Sequence, residues 1–401
     1  MRIDDFAPNQ RQYVRRTYGR DMAFYPPPAP RGLVLEPAQV LALSAADRAL
    51  GELSGVGKRL KNPHMLIRPY LHREAILSLR IEGTQSSLSE LLLFEAGAPT
   101  DRPEDIREVV NYVLALERGV AELANVPISL RLVRDLHTQL LSGVRGEDKT
   151  PGEFRKTQNW IGPAGTRIED AIFVPPPPEA LDEILGNWER FIHEEDDMPP
   201  LLRCALIHYQ FETIHPFIDG NGRIGRLLMP LFLISKGHLS QPLLYLSAYF
   251  DEHRKEYVTA LMDGRLDGDL RPWISMFFAA VETQAKDAAE RADHLTELEA
   301  DYRTRIEKSR SSVTHRLIDE LFSAMFVSAP LIAKMYQVTP ASAQASIDAL
   351  VAADILRELT GKKHGRIYAA SEMLAALEPR PKEVTATDSA RGTESAAVTE
   401  H

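Results

Sequence analysis

Apolar residues recur every three to four positions along most of this chain, the spacing of one buried face of an α-helix. The pattern predicts helices over 36–61, 68–82, 87–94, 104–123 and 129–141. In the second, Leu71, Ile76 and Leu79 carry the period, and Gly83 stands where a left-handed residue would cap the end. Further helices are expected over 179–193, 200–214, 222–236 and 252–262, and from Trp273 past Ala300. The polar far end of the last carries Glu, Lys and Arg pairs of the i,i+4 kind. Residues 1–35 read as irregular, with an extended proline stretch at 26–30. Over 160–174 (WIGPAGTRIEDAIFV), short apolar runs flank Gly162, Pro163 and Gly165, which predicts a β-hairpin or flap; Pro175 to Pro178 stiffen its exit.

The C-terminal part has a different texture. An amphipathic helix is expected over 313–322 and a second over 328–336, with Ser328 as N-cap. Thr339 followed by Pro340 opens a third, reaching Ala353. Residues 355–370 read as two strands around a glycine-bounded turn, so the unit matches a winged helix-turn-helix pattern. Residues 378–401 contain no Leu, Ile, Phe, Tyr or Trp and predict a disordered tail. The expected fold is therefore mainly α, with a helical core and a small hairpin flap. Its parts are an N-terminal helical extension (1–100), a core (101–300), a winged helix domain (305–375) and a tail (376–401).

Composition narrows the classes. The 401 residues are 44% hydrophobic and 26% charged, which excludes global disorder and a collagen repeat. A net charge of −10 argues against a chain devoted to gripping nucleic acid, although one small basic patch is compatible with it. Cys204, the single cysteine, forbids an internal disulfide and fits a reducing compartment. The start lacks an apolar leader region, and the longest apolar run, 227–234 (LLMPLFLI), is too short to cross a bilayer. A cytoplasmic protein without membrane association is expected.

Chemistry concentrates in residues 215–226 (HPFIDGNGRIGR), between two apolar helices. Gly220, Asn221 and Gly222 can take backbone conformations closed to most residues, so successive N–H groups can converge at a helix N-terminus as an anion nest. Arg223 and Arg226 add positive charge in a geometry that grips phosphate. Asp219 beside a phosphate site suits Mg²⁺, or Mn²⁺, which takes carboxylate and phosphate oxygens. His215 titrates near neutrality and suits a general base. Together these features describe phosphoryl or nucleotidyl transfer.

At every fixed position (His215, Phe217, Asp219, Gly220, Asn221, Gly222, Arg223, Arg226) this segment resembles the Fic family motif H-x-F-x-[D/E]-G-N-G-R-x-x-R. Eight fixed positions match by chance roughly once in ten billion starts. Residues 155–165 (RKTQNWIGPAG), followed by AIFVPPPP, look like the family's target-docking flap, and the likeness extends over about residues 10 to 290.

The resemblance implies AMP transfer from ATP to a Ser, Thr or Tyr hydroxyl of a target protein or of the chain itself. His215 would deprotonate the hydroxyl and Phe217 would fix the loop. Asp219 would hold the metal, Gly220 and Gly222 would supply nest N–H groups, and Asn221 would orient the α-phosphate. Arg223 would stabilise the leaving pyrophosphate and Arg226 would anchor the γ-phosphate. Ile224 and Gly225 belong to the same nucleotide-binding segment, and Tyr257 resembles a family tyrosine near the adenine. Ser78, Glu82 and Gly83 match the family's inhibitory pattern [S/T]-x-x-x-E-[G/N], which implies that Glu82 pairs with Arg226 and displaces the γ-phosphate. Alternatives are removal of AMP by the same site, a different donor, or a DNA-binding regulator with a nucleotide-sensing core. A homodimer is compatible with all of them.

Several features read more simply. His208 is expected in the core, Cys204 buried and inert, and residues 193–197 (HEEDD) a solvated helix end. Tyr257 is nearly as well read as core. The third C-terminal helix, 340–353, has no Lys or Arg; only Lys362, Lys363, His364 and Arg366 could touch a phosphate backbone. Pro230 interrupts the helix after the motif and permits a kink.

Overall fold

The computed structural model describes residues 1–377 apart from 18, 20, 60–63, 164 and 362–364. The tail and most of the basic turn at 362–364 therefore lie outside the described residues. The chain opens with a short hairpin, β1 (Val14–Arg16) and β2 (Met22–Phe24), in a region that reads as irregular from sequence. Three-residue strands are too short for an alternating pattern to register. Then follow α1 (Pro37–Arg59), α2 (His64–Ile81), α3 (Leu88–Glu95), α4 (Pro103–Glu122) and α5 (Leu130–Leu141).

Local chemistry explains the ends of these helices. Gly83 at φ +94° closes α2, with Thr84 N–H bonded to Leu79 C=O and Gly83 N–H to Arg80 C=O, the paired bonds of a Schellman cap. Ser87 and Glu90 form a reciprocal capping box at α3. Ser129 accepts from Leu132 N–H at the start of α5.

The centre is α6 (Leu181–His193), α7 (Pro200–Ile214) and α8 (Asn221–Ser235). Helix α7 is buried on every face from Leu201 to Ile214, as a helix surrounded by others must be. The indole N–H groups of Trp188 and Trp273 donate to its Ile207 and Ala205 carbonyls. Helix α8 continues through Pro230. The helix expected over 252–262 is α10 (Arg254–Leu266); a short α9 (Ser247–Glu252), not expected from the sequence, precedes it and is separated from it at His253 without Gly or Pro to signal the break. The 35-residue α11 (Arg271–Arg305) packs along α1 and touches α7 and α9.

Residues 160–174 depart from the expected hairpin. One antiparallel bridge, Ile161 to Phe173, joins its arms, and a 3-10 turn (Ile168–Asp170) fills the loop. Instead of building a ladder, Phe173 and Val174 turn to the N-terminal hairpin: Phe24 N–H donates to Val174 C=O, and Phe24 packs on Phe6 and Phe173. A core of aromatic contacts replaces strand pairing.

The C-terminal unit contains α12 (Ser312–Leu321), β3 (Phe326–Val327), α13 (Ala329–Tyr336), α14 (Pro340–Ala352), β4 (Arg357–Glu358), β5 (Tyr368–Ala369) and α15 (Ser371–Leu377). Its three strands form an antiparallel sheet in the order β3-β5-β4. Thr339 caps α14 as expected, accepting from Ser342 N–H. Ser328 precedes α13 without a side-chain cap; its hydroxyl points to Ala96 C=O instead. No helix among the described residues is long and apolar enough to cross a membrane.

Candidate active site

The motif loop joins the end of α7 to the start of α8. His215 closes α7 in the left-handed region (φ +50°), its N–H bonded to Phe211 C=O. A non-glycine residue takes this conformation only where its surroundings impose it. They do so here. Buried Arg155 donates from Nε to His215 C=O at 2.9 Å and from Nη2 to Ile214 C=O at 3.3 Å. Asn159 Nδ2 donates to the carbonyls of His215 (3.3 Å) and Phe217 (2.9 Å). The His215 imidazole is held to a pKa of about 4, first by burial, then by Arg265 and Arg155, against a weaker upward pull from the Glu212 carbonyl and Glu82. It is neutral at physiological pH, as a proton acceptor must be.

Gly220 caps α8 at φ +80°; a Cβ there would meet His137 Nε2 at 3.2 Å. His137 stacks flat on Phe217, ring centres 3.7 Å apart. Its Nδ1 accepts from Gly152 N–H at 2.9 Å, so Nε2 carries the proton and donates to Asp219 C=O at 2.9 Å. Asp219 Oδ1 accepts from Gly220 N–H at 2.6 Å and from Arg223 Nη2 at 3.1 Å. Arg223 is buried, 3.7 Å from Glu108, and its Nε and Nη1 have no hydrogen-bond acceptor. A buried guanidinium with open donors at a helix N-terminus is a receptor for an anion.

The inhibitory-pattern residues meet the motif. Arg226, buried, donates from Nε to Ser78 Oγ at 2.8 Å and from Nη2 to Ser78 C=O at 3.0 Å and Glu82 Oε1 at 2.7 Å. The Glu82 carboxylate lies over the start of α8, since a Cβ on Gly222 would come within 2.3 Å of Oε1. Burial works to raise its pKa, but Arg226, Arg223 and His215 outweigh that, so it is ionised more readily than an ordinary glutamate. Above Ser78, Glu74 is buried and bonded to Tyr112 and Ser247, and burial lifts its pKa to about 7. One face of α2 thus presents Glu74, Ser78 and Glu82 at helical spacing.

Four residues expected to touch a nucleotide also make contacts within the protein. Asn221 spends its amide on Phe217, accepting from its N–H at 2.8 Å and donating to its C=O at 2.9 Å. It clamps the loop, because a buried amide needs both its donor and its acceptor satisfied. Ile224 is wholly buried and its N–H bonds Gly220 C=O. Gly225 lies one turn into α8, where a Cβ would strike Glu212 Oε1 at 2.5 Å; its role is close packing. Tyr257 is 4% exposed, stacks on Phe250, bonds its hydroxyl to His208 Nε2 at 2.8 Å and lies beside Arg226. His208 and Cys204 are buried as expected. Sequence reasoning missed Arg155, Asn159, His137 and Glu108, whose partners are remote in the chain.

The Fic/DOC family N-terminal model matches residues 40–121, and the Fic/DOC family model matches residues 127–233. The chain carries a Fic/DOC family N-terminal domain and a Fic/DOC family domain. It is similar to "Protein adenylyltransferase Fic" of Culex quinquefasciatus (29% identical over 204 residues, 49% of this chain and 37% of the relative) and of Drosophila grimshawi (30% over 203 residues, 49% and 38%). "Protein adenylyltransferase fic-1" of Caenorhabditis briggsae is 28% identical over 274 residues, 62% of this chain and 49% of the relative. The chain thus spans less than half the length of these relatives. Two solved structures share the fold: a Fic family protein from Desulfovibrio desulfuricans G20 (TM-score 0.57, 18% identity, 86% of this chain and 98% of that one) and Fic-1 from C. elegans (TM-score 0.51, 24% identity, 65% and 75%).

Proposed function

We propose that this Fic protein transfers AMP from ATP to a hydroxyl on a protein. The observation that carries the reading is the pairing of a neutral His215, held at the left-handed end of α7, with the anion-receptive start of α8 beside buried Arg223 and Arg226. The attacking oxygen bonds to the α-phosphorus, its proton passes to His215, and pyrophosphate departs toward the arginines. Most of the rate would come from positioning and fixed charge.

Asp219 suits Mg²⁺: its carboxylate is partly exposed beside the anion-receptive start of α8. Mg²⁺ often binds through one carboxylate plus substrate phosphates, so the donor set fits. The ion would neutralise phosphate charge.

Glu82 would restrain this activity by occupying Arg226 and the start of α8. Exposed Trp160 and Ile172 on the flap suit it to docking a target segment by backbone pairing. The order α12-β3-α13-α14-β4-β5 supports reading the C-terminal unit as a winged helix. Helix α14 brings no Lys or Arg, so a protein contact suits it better than DNA.

Incubation with α-labelled ATP, Mg²⁺ and candidate proteins tests the reading. Label on protein that disappears with His215→Ala is expected; label retained by that variant would overturn it.

A further inference from the structure

The residue that sequence reasoning missed most completely is Arg155, and its contacts reach three places at once. It stands just before the flap, 2% exposed. Its Nε and Nη2 collect the last two carbonyls of the α7 end, at His215 and Ile214, and Nη2 also donates to Pro176 C=O in the proline run where the flap leaves. Its own N–H donates to Pro216 C=O at 2.9 Å. Helix ends leave carbonyls without partners, and a buried end needs them satisfied. Asn159, four residues on, shares the task.

No carboxylate lies within ion-pair distance of this guanidinium among the described residues, and burial pulls its pKa down to about 10 against a weaker upward pull from the more distant Glu179. An unpaired buried charge is unfavourable on its own. Its position accounts for it. His215 is faced by Arg155 from the flap root, by Arg265 of α10 (which bonds Glu212 C=O and Thr213 Oγ1), and by Glu82 from the end of α2.

We infer that Arg155 is a positioning residue: it fixes His215 in its left-handed, neutral form and ties the catalytic loop to both ends of the flap, so that a target held on the flap is held against the base. This rests on the reading of His215 as the base. The guanidinium supplies what no other side chain could: several donors in one plane for separate carbonyls, with a fixed charge that disfavours imidazolium.

The test uses the full chain carrying Glu82→Gly, with Arg155→Lys and Arg155→Met added, and follows AMP transfer across pH. Both variants are expected to lose about tenfold or more in kcat with ATP affinity within about twofold, because the nucleotide contacts stay. Arg155→Met should also move the acidic limb of the pH–rate profile upward by about half a unit or more, toward the ordinary histidine range, whereas Arg155→Lys keeps the charge and should leave the limb in place. Either variant matching the parent's kcat, or a loss in Arg155→Met with an unmoved limb, overturns the inference. Should Arg155→Met fail to fold, the Lys variant decides alone: lowered kcat with an unmoved limb supports it, and full activity overturns it. His215→Ala in the same assay separates the two ideas; if turnover survives, the reading of the base fails whatever Arg155 does.

Discussion

Replacing Glu82 by Gly removes the carboxylate that Arg226 Nη2 holds at 2.7 Å and clears the space above Gly222. The two side chains differ in setting: Arg226 is 1% exposed and Glu82 37%. A charge-assisted hydrogen bond contributes about 1.5–3 kcal/mol, and partial exposure places this one at the lower end. If a γ-phosphate must take Arg226 from Glu82, productive ATP binding is weakened by that amount, and about 1.4 kcal/mol corresponds to a factor of ten. Glu82→Gly should therefore raise the initial rate of protein labelling from α-labelled ATP by about tenfold or more at subsaturating nucleotide. Glu82→Gln, which keeps the bulk and loses the charge, should fall between. The same change deprives buried Arg226 of its carboxylate partner, so the melting temperature should fall by about a few degrees. Equal labelling rates for the parent and Glu82→Gly would refute the argument, since the ion pair would then cost the nucleotide nothing.

Other outcomes follow from buried groups. Asn221→Ala leaves the N–H of Phe217 unpaired in the interior, its C=O still held by Asn159, and should cost about 1–3 kcal/mol in denaturant unfolding; a loss below about 0.5 kcal/mol would mean the clamp is idle. Gly220→Ala must hold φ near +80° and meets His137 Nε2, so it should destabilise by about 1–2 kcal/mol, whereas Gly83→Ala meets only the φ penalty; equal losses would show that the His137 contact is slack. His72 (about 3), His137 and His208 (about 4 and 3) take up protons only on unfolding as pH falls below their ordinary 6.5, which removes stability; Glu74 and Glu212, raised from 4.5 to about 7, work the other way and disfavour folding as pH rises through that window. His215, held to about 4, joins the histidine set; the two sets then nearly cancel at pH 7, and at pH 5.5 the histidines lead by about two protons, so stability should fall by about 2.5 kcal/mol per pH unit of acidification there. Melting curves that improve from pH 6.5 to 5 would contradict this. Cys204, buried with its thiol pushed up by burial, should resist thiol reagents until the chain is denatured; fast labelling of the native protein would be the adverse result.

Local rules carried much of the fold. Gly83, Ser87, Ser129 and Thr339 end or begin helices because their own backbones and side chains do the capping, and neighbours in the chain suffice to see it. The Glu82–Arg226 contact joins residues 144 apart and was readable only because the motif resemblance named both. Arg155, His137 and Glu108 act on partners 60, 82 and over 100 positions away, and nothing in their local sequence points across that distance. The loop clamp at Asn221 was not legible, because an amide beside a glycine nest suits a ligand as well as it suits a clamp; only the position of Phe217 shows it. The flap differs for another reason: its short apolar runs read like strands, yet Phe173 and Val174 are spent on the N-terminal hairpin, whose strands are too short to announce themselves.

Helix α11 rises about 1.5 Å per residue over 35 residues, which makes a rod of about 50 Å. Its first half is anchored by Trp273 and Phe277 beneath the catalytic centre, and its second half by Leu295, Leu298 and Tyr302 against the C-terminal unit. The two regions therefore share one beam. Trimming the chain at residue 300 would strip apolar flanks from what remains, and any load that tilts the C-terminal unit would be delivered, undiluted by a hinge, to the floor on which α7 rests.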